Sequence, residues 1–175
     1  MDHLFARKAS ALLVGQTAVD QGTFMHQTVK DIHPSKRLEF PVNESFQLQF
    51  SLGLALAGYL PVTMFPRQNF LLLAFADMVN MMDKLPDLSN GRVKPHMIIR
   101  TATGPDYPVH PGHQHIGNYL TAFSSAFKNT KVLYFDEPRK IALTYRYAMD
   151  HPGLYLLIEE GNYYNNEYVQ KYGYE

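Results

Sequence analysis

Residues 40–65 read FPVNESFQLQFSLGLALAGYLPVTMF. Asn43 is suited to cap a helix over residues 44–57, because its short side chain can accept a first-turn N–H, and Gly58 supplies the stop. The apolar runs on either side, 38–42 and 60–65, are too short for helices and read as strands. One acid, Glu44, stands just inside the helix start, which makes it the candidate functional centre of the unit.

Outward from this unit the alternation continues in both directions. Residues 11–14, 96–100, 131–135 and 154–159 read as further strands, and 23–33, 116–127 and 137–151 as helices. Residues 69–85 form the strongest helical pattern, with Phe70, Leu73, Ala74, Met78 and Met81 on one face. Residues 86–94 are rich in turn formers, and 101–112, with three Pro and two Gly, read as a loop. Strands alternating with helices predict an α/β fold, a doubly wound, mostly parallel sheet flanked by helices. It occupies 1–160, followed by a polar, Tyr/Asn-rich tail over 161–175. Ligands of such sheets gather at the carboxyl ends of the strands. Here those are Gly15-Gln16, Asn43-Glu44, residues 65–68 and residues 101–115.

Composition narrows the function classes. The 175 residues carry 16 Lys+Arg and 16 Asp+Glu, so no basic field is available to attract nucleic acid or an anionic membrane. No cysteine is present, which excludes thiolate metal sites and a cysteine nucleophile. Neither a signal peptide nor a membrane span is legible, and a cytoplasmic protein is expected.

Several segments, in order, resemble the pyrimidine-binding domain of thiamine-diphosphate enzymes, that of the 2-oxoacid dehydrogenase beta subunits and of transketolase. LLVGQTAVDQGTF is similar to the family's opening strand and following loop. FPVNESFQLQFSLGLALAGYLPV is similar to its Pro-Ile-Ser-Glu segment, small-residue helix and next strand. NFLLLAFADMVN, IIRTATG, HPGHQHIGNY and LYLLIEEGNYYN each have a counterpart further on. The resemblance implies that Glu44 hydrogen-bonds the ring nitrogen of the cofactor's aminopyrimidine and so activates it. It implies that Gln16, Phe65, Arg67 and Phe70 are in contact with the cofactor, and that His113, with His110 and His115, is in contact with substrate.

Two positions depart from the family pattern. Gln16 stands where the beta subunits carry an acid, and keeps hydrogen bonding without the charge. Arg67 stands where the family places an aromatic ring against the aminopyrimidine, although a guanidinium can also stack on a π-face. The sequence contains no Gly-Asp-Gly, the segment that holds the diphosphate and its Mg2+ in this family. The resemblance therefore implies a split enzyme, with thiamine diphosphate at the interface with a Gly-Asp-Gly-type subunit in an α2β2 hetero-oligomer. Self-association is also expected. Phe75, Met78, Met81 and Met82 offer an interface. The substrate would be a small 2-oxo acid or a ketose. Two other readings stay open: a non-catalytic assembly subunit that keeps only the fold, and a metal-dependent hydrolase built on the three histidines of HPGHQH.

Overall fold

The computed structural model describes residues 1–104, 110–135 and 137–165. After a short helix α1 (Asp2–Arg7) come β1 (Ala11–Gly15), α2 (Phe24–Gln27), β2 (Arg37–Glu39), α3 (Glu44–Leu56) and β3 (Leu60–Met64). A broken helical segment includes α4 (Gln68–Leu71), α5 (Phe75–Asp77) and α6 (Leu85–Leu88). Then follow β4 (Met97–Thr103), α7 (Leu120–Ala126), β5 (Thr130–Phe135), α8 (Pro138–Asp150) and β6 (Leu154–Glu160). The six strands are all parallel, in the order β2-β1-β3-β4-β6-β5. The expected α/β sheet is thus observed, with no antiparallel strand in it.

Side-chain alternation divides the core between the two faces of the sheet. Ile98 and Ala102 of β4, with Tyr155 and Leu157 of β6, meet Phe5, Met25, Tyr145 and Met149 on one face. Met97 and Ile99, with Leu154, Leu156 and Ile158, meet Leu48, Leu52, Met78 and Phe123 on the other. Both faces are covered, so β1, β3, β4 and β6 are buried nearly throughout, as parallel strands in such folds are.

The helix at the centre of the sequence forms as its caps predict. The Asn43 side chain accepts from Phe46 N at 3.0 Å, and Gly58 leaves the helix at φ 91°. Three other expected helices are shortened or broken. The 23–33 segment is helical only over α2, because Thr28 Oγ1 donates to Met25 O at 2.7 Å and β-branched Val29 and Ile32 follow.

The 69–85 helix passes through a 3-10 turn at Leu72–Ala74 and a π-turn at Met78–Met82. At that break Ser45 Oγ of α3 donates to Leu73 O at 3.1 Å, and Asp83 N reaches back to Met78 O. The 116–127 helix begins only at Leu120, since Tyr119 N is given to Gln68 Oε1. The strand read at 38–42 ends at Glu39, before Pro41, leaving Val42 exposed. β4 runs on to Thr103 because Thr101–Thr103 pair with Ile158–Glu160. Residues 105–109 of the expected loop and 166–175 of the expected tail lie outside the described residues. Gly161–Asn165 form a 3-10 turn directly after β6.

Candidate functional site

Strand order reverses at β1, which has β2 on one side and β3 on the other. Chain direction then opens a crevice between the carboxyl ends of β1 and β3. Gly15 closes β1 at φ 152°, and a Cβ there would stand 2.4 Å from Met64 O. Only glycine allows β1 and β3 to approach so closely at this point. Gln47, on the buried side of α3, fills the space beside it, donating to Thr63 Oγ1 at 2.9 Å and Met64 O at 3.0 Å. The start of α3 is thereby pinned to the end of β3.

Glu44 sits at that pinned helix start and is only 4% exposed. Gln16, the residue after β1, donates from Nε2 to Glu44 Oε1 at 3.2 Å. Among the described residues Glu44 Oε2 receives no donor and no cation pairs with the carboxylate. A buried carboxylate with one neutral partner can still accept a donor, or take up a proton, at its free oxygen.

The loop after β1 is held by a second acid. Glu39, ending β2, accepts from Thr17 N and Val19 N at 2.6 Å and from Asp20 N at 3.2 Å. Thr17 occupies the left-handed region at φ 60°, and this carboxylate cradle holds it there.

Arg67 lies past the end of β3 and spans two other elements. Its Nη1 donates to Gly104 O, just beyond β4, at 2.8 Å and to His115 O at 3.3 Å. Burial lowers its pKa from the ordinary arginine value. Phe70 meets His115 ring to ring, with centroids 5.4 Å apart. Phe65 is wholly buried in the core with Leu71, Ala74 and Phe123, so its ring is not at the crevice surface. His110 and His113 are exposed and lie edge to face at 5.4 Å, while His115 turns away towards Phe70. No group of three His, Asp or Glu side chains placed to hold a metal occurs among the described residues. Of the expected interface residues, Met78 and Met82 are buried core and only Met81 is largely exposed.

A cleft of about 350 Å³ opens beside Arg67, lined also by Pro66, Thr23, Phe24, Met25 and Tyr164. Glu44 does not line it, because α3 packs on the opposite face of the sheet, and Gln16 does not line it either. Behind the cleft, Tyr164 donates to Glu159 Oε2 at 2.8 Å and joins a buried network. Arg100 of β4 pairs with Glu159 of β6 at 2.6 and 2.9 Å, and Tyr145 of α8 donates to Glu159 Oε1. Burial pushes the Glu159 carboxyl up, but the Arg100 charge and the Arg100, Tyr145 and Tyr164 hydrogen bonds outweigh it and hold its pKa low. Burial and the adjacent carboxylate raise both tyrosines well above the usual phenol range. The sequence reading missed this network. Its signal was available, since an arginine and a glutamate inside strands buried on both faces must find each other or another partner.

The fold of thiamine-diphosphate enzymes, in its pyrimidine-type domain, has this topology. No family model matches the chain, and no curated protein matches it in sequence. Solved structures do. A split-gene transketolase, described as an inactive beta4 tetramer, superposes with a TM-score of 0.68 at 13% identity, over 90% of this chain and 47% of that one. A protein from Mycobacterium smegmatis, classed as a thiamin diphosphate-dependent enzyme, superposes with a TM-score of 0.64 at 12% identity, over 90% of this chain and 29% of that one. The likeness is one of fold, and the chain spans less than half the length of either protein.

The residues present fit the ring-nitrogen end of the cofactor. Glu44 offers a buried carboxylate oxygen with no other donor at the switch point of the sheet. The Arg67 guanidinium is tied to two carbonyl oxygens.

Proposed function

We propose that the chain is the small subunit of a split thiamine-diphosphate-dependent enzyme, transketolase-like or 2-oxoacid decarboxylase-like. In this reading it supplies the activating glutamate, and a separate Gly-Asp-Gly-type subunit holds the diphosphate and Mg2+. The observation that carries the reading is the buried Glu44 carboxylate, held by one neutral amide in the crevice between β1 and β3. The bound cofactor supplies a nucleophilic carbanion able to attack a carbonyl substrate.

This chain's part is to hold and exchange a proton at Glu44 Oε2. Gln16 fixes the other oxygen, and the Asn43 cap with the Gln47 bonds fixes the backbone beneath. Burial in the crevice excludes competing water from the carboxylate. His113, exposed on the turn after the β4 loop, is assigned to substrate contact at the rim. A cofactor titration with and without the co-expressed partner tests the proposal. Binding is expected only in the complex, and Glu44→Ala should abolish turnover there. Unchanged turnover in that variant ends the assignment.

A second reading has its own observation. Arg67 is committed to Gly104 O and His115 O in the place of an aromatic platform, which favours a non-catalytic assembly subunit. Tight association of the two subunits with no cofactor uptake would select it.

A further inference from the structure

The Arg67 cleft is not absorbed by the proposal for Glu44. Arg67 is the one charged residue among the described residues lining it. Nη1 is spent on Gly104 O and His115 O, whereas Nε and Nη2 have no partner among the described residues. No described acid forms an ion pair with it. The free edge of this half-buried guanidinium is accessible to solvent and has no counter-charge among the described residues, so it is open to an anion that can take the place of water.

The surroundings define what kind of anion. Phe24, Met25 and Pro66 give the cleft an apolar wall, which suits a carbon skeleton better than a bare inorganic ion. Tyr164 cannot donate into the cleft, since its hydroxyl proton is given to Glu159. Thr23 Oγ1, 2.9 Å from Thr17 Oγ1, is the hydroxyl at the wall. One cation, the Thr23 hydroxyl, the exposed Gln27 amide and an apolar wall match a single negative charge on a short organic skeleton. About 350 Å³ lies within the range of small-molecule sites.

We infer that this cleft binds a small organic monocarboxylate, with the free edge of the Arg67 guanidinium as its counter-charge. The planar fork of Nε and Nη2 takes both carboxylate oxygens. The site lies on the α2 side of the sheet and needs neither Glu44 nor a cofactor, so its test stands apart from the proposal above.

The test is a titration of the 175-residue chain alone, followed by NMR at the Arg67 Nε–H and Thr23 amide signals. Propionate is the probe, with propionamide as its neutral isostere and inorganic phosphate as the anion without a skeleton. Saturable shifts with propionate are expected, together with binding at least about tenfold weaker for propionamide and for phosphate. Arg67→Gln should weaken propionate binding at least about tenfold. Because that variant also loses the bonds to Gly104 O and His115 O, Gln27→Glu is the companion. It adds a negative charge to the exposed wall of the cleft while keeping those bonds, and should weaken propionate about fivefold or more at an unchanged melting temperature. Equal binding of acid and amide, tighter binding of phosphate, or indifference to Gln27→Glu overturns the inference.

Discussion

Gln16 Nε2 donates to Glu44 Oε1 across 3.2 Å, joining the residue after β1 to the first residue of α3. The two are 28 positions apart in the chain and meet because β1 lies between β2 and β3. An amide at this point orients the carboxylate without adding a charge to it.

Glu44→Gln preserves shape and removes the group proposed to exchange a proton. Turnover of the proposed two-subunit complex is expected to fall about 100-fold or more. The melting temperature of the chain should hold or rise, since a buried amide costs less than a buried carboxylate with one partner. Parallel kinetics and thermal melts check both halves. A loss of stability matching the loss of activity would reduce Glu44 to a structural role.

Breaking the Arg100–Glu159 pair is expected to cost far more than any surface change. Either Glu159→Gln or Arg100→Met leaves one member of a pair, 2% and 1% exposed, without its counter-charge, at about 3–5 kcal/mol. The double variant should fall closer to the parent than either single one, as measured by urea denaturation.

The same network sets a pH dependence with two limbs. Glu159 is depressed in the folded state, so its contribution is present above the ordinary carboxylate range and is lost as pH falls through the lower folded value. Tyr145 and Tyr164 are raised, so theirs is present below the ordinary phenol range, near pH ~10, and declines above it. Melting temperatures followed from acid to alkali should drop at both ends. Replacing Tyr164 by Phe should flatten the alkaline drop.

Asp83 predicts a different kind of loss. It is buried, and its oxygens accept the N–H groups of Lys128, Asn129 and Thr130 at 2.8–2.9 Å, fixing the entry to β5. Asn keeps the size but offers one acceptor oxygen, so Asp83→Asn should cost about 1.5–3 kcal/mol in denaturant unfolding.

The partner-facing surface is predicted at α3. Phe46 is 51% exposed, and its ring meets Phe40 and Phe50 at 5.1 and 6.3 Å, next to exposed Val42. From Ser45 to Pro66 the sequence has no charged residue. Phe46→Ser with Phe50→Ser should weaken subunit association by about tenfold or more and leave the lone chain's melting temperature nearly unchanged. Gly53→Ala gives a contrast. A Cβ there meets nothing within 4 Å, so the change should stabilise the lone chain by about 0.5–1 kcal/mol.

The sheet and the α3 cap were legible because short apolar runs and Asn43 report purely local chemistry. The 69–85 segment was not, since Phe70, Leu73 and Met78 keep helical spacing while a hydroxyl from α3 at Ser45 breaks the ladder. Glu44 was a candidate from its place at a helix start, and only resemblance suggested a role for it. Composition and spacing place an acid at a helix start, and its burial and its bond to Gln16 depend on strand order. The tie from Arg67 to Gly104 and His115 spans 37 and 48 residues, a separation at which no spacing rule operates.

The position of β6 constrains the order in which the molecule can fold. It is the last of the six strands in sequence, yet it sits inside the sheet, between β4 and β5. Until it emerges from the ribosome, β4 and β5 have no strand to share, and Arg100 has no counter-ion at its final depth. The early strands can collapse around β1 and β3, but the sheet closes only when Glu159 arrives. Nascent chains stalled before that residue should therefore engage chaperones through an open β4 edge, and release should coincide with synthesis of β6.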